Sequence, residues 1–221
     1  MTDTLRDPID VPWTMKPLAS AKTTLERLDD GRLRCAIEHD LLRGITPDML
    51  VFWFRHLEGD LQVEGRTIPR YLAWHPRDHV AFRYARRPAG GVIGPGARFA
   101  IHEVLGRNPD YVVDVITDVV QLDESGFRHR PRKFGFHPVD MPYRWRRVAG
   151  GTLYENELVV GVPGAPRWLN ESILAHVFDE ARGRAWLLHN VEEVSAFEAF
   201  LPDFVASAKG ESVRGPVRFV P

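Results

Sequence analysis

The sequence predicts an α+β fold in which one antiparallel sheet lies against a long C-terminal helix. Two observations predict it. Between residues 97 and 160, short runs of strand-forming residues are separated by turn-forming stretches, as in an antiparallel meander. A helix-periodic apolar stretch then closes the chain, from about Glu192 or a turn earlier to Ala208. A sheet and a helix of this kind bury their apolar faces on each other as layers. A curved sheet gripping the helix encloses a pocket, which the inner face of the helix lines.

The elements follow in chain order as one domain over 1–221. Residues 1–20, rich in Pro, Asp and Thr, read as an extended arm, and 21–30 as a short helix. Leu33, Cys35 and Ile37 alternate as in a strand. Thr46 is a good N-cap, Pro47 suits the first helical position and Asp48 the positive helix end. Met49, Phe52, Trp53 and Leu57 supply that helix with its apolar stripe. Strands are expected over 97–105, 111–122, 126–136, 143–147 and 151–160, with hairpin turns at 123–126 and 149–151. Residues 90–96 are glycine-rich but lack the Lys-Ser/Thr of a phosphate loop, and read as a loop over the pocket mouth. Pro202 should kink or break the last helix. The tail from Val213 reads as extended.

Composition narrows the function. A formal net charge of -1 argues against a nucleic-acid partner recruited by bulk charge, despite the basic runs at 128–133 and 144–147. One cysteine, Cys35, excludes a disulfide framework, and it reads as a small buried residue. The N-terminus lacks a basic, then apolar, secretory pattern, and no stretch approaches the ~20 apolar residues of a membrane span. A cytoplasmic location is expected.

The most informative stretch is 186–197. His189 and Glu193 stand four apart, stacked one turn apart on one helix face. Phe197, Phe200 and Phe204 continue that face, which should therefore be the buried one. Buried ionisable groups are costly unless paired or metal-bound. The pair is either a satisfied core pair or half of a metal site. Glu192 falls off that face. His176 and Glu180 repeat the spacing, but Asp179, Arg182 and Gly183 suggest a turn there. Two further stretches carry candidate ligands. Residues 71–79 hold Tyr71, His75, Asp78 and His79, with Pro76 disfavouring helix at His75. In 99–105, strand alternation sends His102 and Glu103 to opposite faces, and His102 reads as the outer one.

Taken in order, Tyr71-x-x-Trp74-His75-Pro76-x-Asp78-His79, then Glu103 in an apolar strand, then His189-x-x-x-Glu193-x-x-x-Phe197-x-x-Phe200-Leu201-Pro202, resemble the zinc-dependent diacetylphloroglucinol hydrolase and phloretin hydrolase family. The helix from Ile45-Thr46-Pro47-Asp48-Met49 to Trp53-Phe54 resembles it too, so the likeness covers roughly residues 45–205. The resemblance implies a helix-grip sheet like that of START and birch-pollen-allergen domains. It implies hydrolysis of an acyl–aryl carbon–carbon bond and a zinc ion held by His79, Glu103, His189 and Glu193. Tyr71 would match a pocket tyrosine that contacts a substrate oxygen; His137 and His176 are further candidates for proton transfer by residue type alone, without support from the motif. The chain departs from the family in three ways. It is shorter, without much of the family's N-terminal helical extension. Its His79-to-Glu103 gap is short, which makes Asp110 a rival second ligand. Val80-Ala81-Phe82 stand where polar residues are expected. The expected partner is a small phenolic or polyketide-like molecule, with no nucleic acid and no membrane, and with a homodimer left open. The rival readings are a metal-free carrier of an aromatic or polyketide ligand, and a metal-dependent lyase or cyclase using the same ligands.

Overall fold

The computed structural model describes residues 5–132, 136–213 and 215–221. Its strands are β1 (Ala21–Arg27), β2 (Leu33–His39), β3 (Leu42–Arg43), β4 (Asp60–Val63), β5 (Arg66–Pro69), β6 (His79–Arg86), β7 (Arg98–Val104), β8 (Val112–Asp123), β9 (Gly126–Pro131), β10 (Val139–Val148), β11 (Gly151–Val160) and β12 (Val217–Phe219). Its α-helices are α1 (Pro47–Arg55), α2 (Arg70–Trp74), α3 (Arg167–His176) and α4 (Glu180–Ala208). The main sheet runs β1-β2-β11-β10-β9-β8-β7-β6, with β3 also on β11, and β12-β4-β5 form a small second sheet. Every pairing is antiparallel. The large sheet grips α4, which is the helix-grip arrangement expected.

Local chemistry explains most of the elements. Thr46 Oγ1 accepts from the Met49 amide at 3.4 Å and caps α1, with Pro47 first in the helix. Residues 21–27 form strand β1 and not a helix. Leu25 pairs with Cys35 across a turn closed by the Leu28 amide on the Arg32 carbonyl at 2.8 Å, and Gly31 supplies the φ of +82° that this turn requires. Sheet pairing outweighs the weak local propensity on which the helical expectation rested.

Helix α4 begins at Glu180, about three turns before Glu192, where Asp179 caps it by accepting from the Arg182 amide at 2.8 Å. It runs through Pro202 without a break. The proline costs one helix hydrogen bond. Phe200, Leu201 and Phe204 around it are fully buried, and their packing holds the helix together. Gly183 lets the first turns of α4 settle on the sheet, because a Cβ there would stand 3.0 Å from Leu25 Cδ1 and 3.1 Å from Cys35 Sγ. Cys35 is buried, and burial pushes its thiol up to about 12, as suits a packing residue and not a nucleophile.

The outer side of α4 is covered by α1 and α2. Trp53 is fully buried and packs edge-on against Trp74, Phe197, Phe200 and Phe204, with centroids 4.9–6.1 Å away. Ile93 is buried and its carbonyl accepts from Arg55 Nε at 3.2 Å. This docks the glycine-rich loop on the end of α1, away from the pocket mouth where it was expected. No helix among the described residues is long and apolar enough to cross a membrane.

Trp53 therefore joins three elements through one side chain. Replacing it by Ala should destabilise the fold by about 3–5 kcal/mol, as for other buried large-to-small changes. Urea unfolding checks this, and a loss under ~1 kcal/mol would show that the aromatic cluster is not the keystone of the core.

Candidate metal centre

Two structural units bring four side chains together. His79 opens β6 and Glu103 lies near the end of β7, and the two residues are direct partners in the β6–β7 register. His189 and Glu193 project from one face of α4. His79 Nε2 lies 3.5 Å from Glu103 Oε1 and 3.4 Å from Glu193 Oε2. His189 Nε2 lies 3.7 Å from Glu103 Oε2 and 3.8 Å from Glu193 Oε2. Donors held ~2.0–2.2 Å from one ion at tetrahedral angles stand roughly 3.3–3.6 Å apart. His79, His189 and Glu193 can each place one donor atom within 4.8 Å of the others, while Glu103 approaches the two imidazoles with different oxygens, Oε1 toward His79 and Oε2 toward His189.

Hydrogen bonding fixes both imidazoles. His79 Nδ1 meets the Tyr71 carbonyl at 2.7 Å, and a carbonyl only accepts, so Nδ1 carries the hydrogen. The Nε2 lone pair is then buried, faces two carboxylates and has no hydrogen-bond partner among the described residues. His189 Nδ1 meets Asp78 Oδ2 at 3.0 Å, which gives neutral His189 the same tautomer. The Tyr71 hydroxyl donates to Glu103 Oε1, and its ring lies flat on His79 at 3.8 Å. Tyr71 is therefore bound to two of the four groups.

The electrostatics show what this convergence costs. Burial raises the Glu193 carboxyl to about 8, with Glu103 and Asp78 adding to the rise and His189 opposing it. Burial alone would depress His189, but Glu103, the Asp78 hydrogen bond and Glu193 outweigh it and hold the ring at about 9. Burial drives His79 well below its ordinary value, assisted by the neighbouring His189 and His75. Without a cation, protons take up the negative charge.

The centre borders a cavity of about 480 Å³, a size suited to a small organic molecule. Its walls are mainly apolar, with Phe54, Phe82, Phe99, Phe127, Trp74 and Trp186 among them. His129 and Tyr143 add a second polar group on the wall. His129 Nδ1 is 2.9 Å from Thr117 Oγ1, and its Nε2 is 3.5 Å from the Tyr143 hydroxyl. Burial raises the Tyr143 phenol well above its usual value, and Glu193 and Glu103 push it further. Neither residue was singled out from sequence, although Phe127, His129 and Pro131 alternate with Arg128, Arg130 and Arg132 as an inward face should.

The remaining candidates lie elsewhere. Asp110 is exposed and does not line the cavity, and its carbonyl accepts from Arg182 Nη2 at 2.7 Å. His137 lies off the cavity, with Nδ1 3.3 Å from the Pro131 carbonyl and Nε2 3.9 Å from Asp118. His176 is exposed at the mouth and hydrogen-bonds the Ser172 carbonyl at 2.8 Å. It ends α3 while Glu180 starts α4, so this i, i+4 pair shares no helix. His75 hydrogen-bonds Glu192 at 3.2 Å behind His189, as a local partner.

No family model and no curated protein matches this sequence. Among solved structures, it is similar to Ara h 8.0201, at 16% identity and a TM-score of 0.39 over 72% of this chain and 97% of that one. A START superfamily protein from Mycobacterium smegmatis is 12% identical with a TM-score of 0.41, over 74% of this chain and 97% of its own. CalU16 from Micromonospora echinospora is 13% identical with a TM-score of 0.39, over 76% and 97%.

Burial holds the His129 imidazole down to about 3, against an opposing pull from Asp140. An unfolded histidine titrates near ~6.5. The folded state thus refuses a proton that the unfolded chain accepts. Its contribution to stability is fully present above pH ~6.5 and is lost as pH falls toward 3. Between about pH 6 and 4, wild type should lose roughly 1.4 kcal/mol per pH unit more than His129→Gln. Urea unfolding across that range checks this, and parallel curves would refute it.

Proposed function

We propose that this chain is a zinc-dependent hydrolase that cleaves the carbon–carbon bond between an acyl group and a phenolic ring, the chemistry of the diacetylphloroglucinol and phloretin hydrolases. One observation supports this above the others: two imidazoles, locked by their Nδ1 hydrogen bonds, aim Nε2 at the buried Glu193 and the half-buried Glu103. Glu103, Glu193 and Asp78 form their ion pairs with imidazoles and, among the described residues, none with Lys or Arg. A divalent ion supplies the missing positive charge, and the nitrogen and carboxylate donor set suits zinc.

Zinc in this set provides a Lewis acid for a ketone oxygen and lowers the pKa of water. The chain's own residues do the rest. The aromatic walls exclude water and hold a flat ring. His129 and Tyr143 offer hydrogen-bonding groups to a phenol oxygen away from the four-residue cluster. Tyr143, kept protonated by burial, offers a proton donor on the wall. Tyr71 holds Glu103 and His79 in place. In the net reaction, water adds hydroxide to the acyl carbon and the bond to the ring breaks. The ring carbon keeps the electron pair and takes up a proton, giving a carboxylic acid and the free polyphenol.

The apolar cavity also suits a second reading, a carrier that holds an aromatic ligand without metal chemistry. Elemental analysis and product analysis separate the two. The purified protein should hold one zinc, His189→Ala should lose it and His176→Ala should keep it. Acylated phloroglucinols should release the acid and the bare polyphenol. Ligand binding without turnover in zinc-loaded protein would favour the carrier, and equal zinc loss in both variants would refute the ligand set.

Tyr71→Phe tests the tyrosine separately. The structure commits its hydroxyl to Glu103 and not to a substrate oxygen, so losing this positioning bond should lower turnover by about 10–100-fold. Because the hydroxyl is bonded to Glu103, zinc affinity should also fall, by about tenfold. Competition with a chelator measures the second effect, and unchanged values of both would place Tyr71 in the structural background.

A further inference from the structure

We infer that Asp78 is a positioning residue that sets the metal affinity of the centre by holding His189 in its liganding orientation. This deepens the metal reading above and rests on it. Asp78 is only 1% exposed and sits in the short link between α2 and β6. Its Oδ2 accepts from the Gly106 amide at 2.8 Å and faces His189 Nδ1 at 3.0 Å, while Oδ1 is buried with no hydrogen-bond partner among the described residues. One carboxylate oxygen is thus committed to the imidazole and to a backbone amide that fixes its position.

The link itself is pinned. The Val104 amide donates to the Asp78 carbonyl at 2.9 Å, which ties Asp78 to the strand end carrying Glu103. From the N-terminal arm, Arg6 donates to the Pro76 carbonyl at 2.8 Å and the His79 carbonyl at 2.7 Å. The His75 ring lies nearly parallel to His189, with centroids 4.4 Å apart and planes inclined by 12°. His189 is therefore fixed in tautomer by Asp78 and in ring plane by His75.

The same residues invite another reading. His75, Asp78 and His189 can each place a ligand atom within 4.8 Å of the others, as in a second metal site. Hydrogen bonding argues against it. His75 Nδ1 accepts from the Asp78 amide at 3.1 Å, so Nε2 carries the hydrogen and points at Glu192 Oε2, 3.2 Å away. His75 has no nitrogen lone pair left for an ion. Glu192 is in turn bound by Arg77, which leads to the surface. The cluster supports the centre from behind, as a carboxylate behind a liganding imidazole fixes its orientation and strengthens it as a donor.

Two substitutions separate charge from geometry. Asp78→Asn keeps an oxygen for His189 and Gly106 and removes only the charge. Asp78→Ala removes both. Zinc affinity, read by chelator competition, should fall about tenfold in Asp78→Asn and about 100-fold in Asp78→Ala. With cobalt(II) in place of zinc, the visible absorption bands should shift in Asp78→Ala and stay near the wild-type positions in Asp78→Asn. Folded variants that both bind zinc within about threefold of wild type would overturn the inference, even if their melting temperatures fall. If Asp78→Ala does not fold, Asp78→Asn decides by the same threshold. If His189→Ala loses zinc and the Asp78 variants do not, only the role of Asp78 fails. A wild-type protein that binds no zinc overturns the metal reading and this inference together.

Discussion

The structure is organised around one cost: the Glu193 carboxylate lies out of water, with the half-buried Glu103 beside it, at the inner end of an apolar cavity. A buried carboxylate is tolerated only when something neutralises it. Here the neighbours are imidazoles whose Nδ1 positions are committed to Tyr71 and Asp78, so they offer lone pairs or bind protons. Two substantial elements surround this point. The middle of α4 is buried on nearly every side, between the sheet and the α1–α2 cover. The Trp74 indole also donates to the Glu193 carbonyl at 2.8 Å, which fixes the helix at the residue that must not move.

This arrangement divides the work between elements. The sheet contributes His79 and Glu103 as a cross-strand pair, and the helix contributes His189 and Glu193 as successive turns. Each pair is set by the most regular geometry of its own element. What remains to be specified is the docking of helix on sheet. That falls to the aromatic cluster around Trp53 and to the close seat of Gly183 on Leu25 and Cys35. Packing far from the centre thus controls whether the four groups meet.

Much of this was legible in the sequence. The strands from 97 to 160, except that the one expected over 126–136 ends at Pro131 and residues 133–135 lie outside the described ones, the cap at Thr46 and the His-x-x-x-Glu face of the last helix follow from period and local chemistry. The start of α4 was not, because Glu180, Arg182, Gly183 and Arg184 give no apolar stripe and the segment becomes helical through the Asp179 cap and the fit against β1 and β2. Nor was β1, whose strand state comes from pairing with β2. Of the candidate site residues, His79, Glu103, His189, Glu193 and Tyr71 come together. His137, His176 and Asp110 had no geometric constraint in the sequence, and the fold leaves them apart from the centre. His129 and Tyr143 were hidden among arginines, where a run of positive charge masks the inward half of a two-residue alternation.

The pairing of His79 with Glu103 has a consequence for how such proteins diverge. The two residues face each other at the base of the β6–β7 hairpin, so everything between them is a finger extending away from the centre. Its length can change by paired additions to both strands, or within the 87–97 connection, without moving either side chain. The number of residues between His79 and Glu103 is therefore a poor guide to kinship. The four-residue step on the helix cannot change without moving His189 and Glu193 off a common face. In this architecture the geometry is tolerant along the hairpin and strict along one turn of helix.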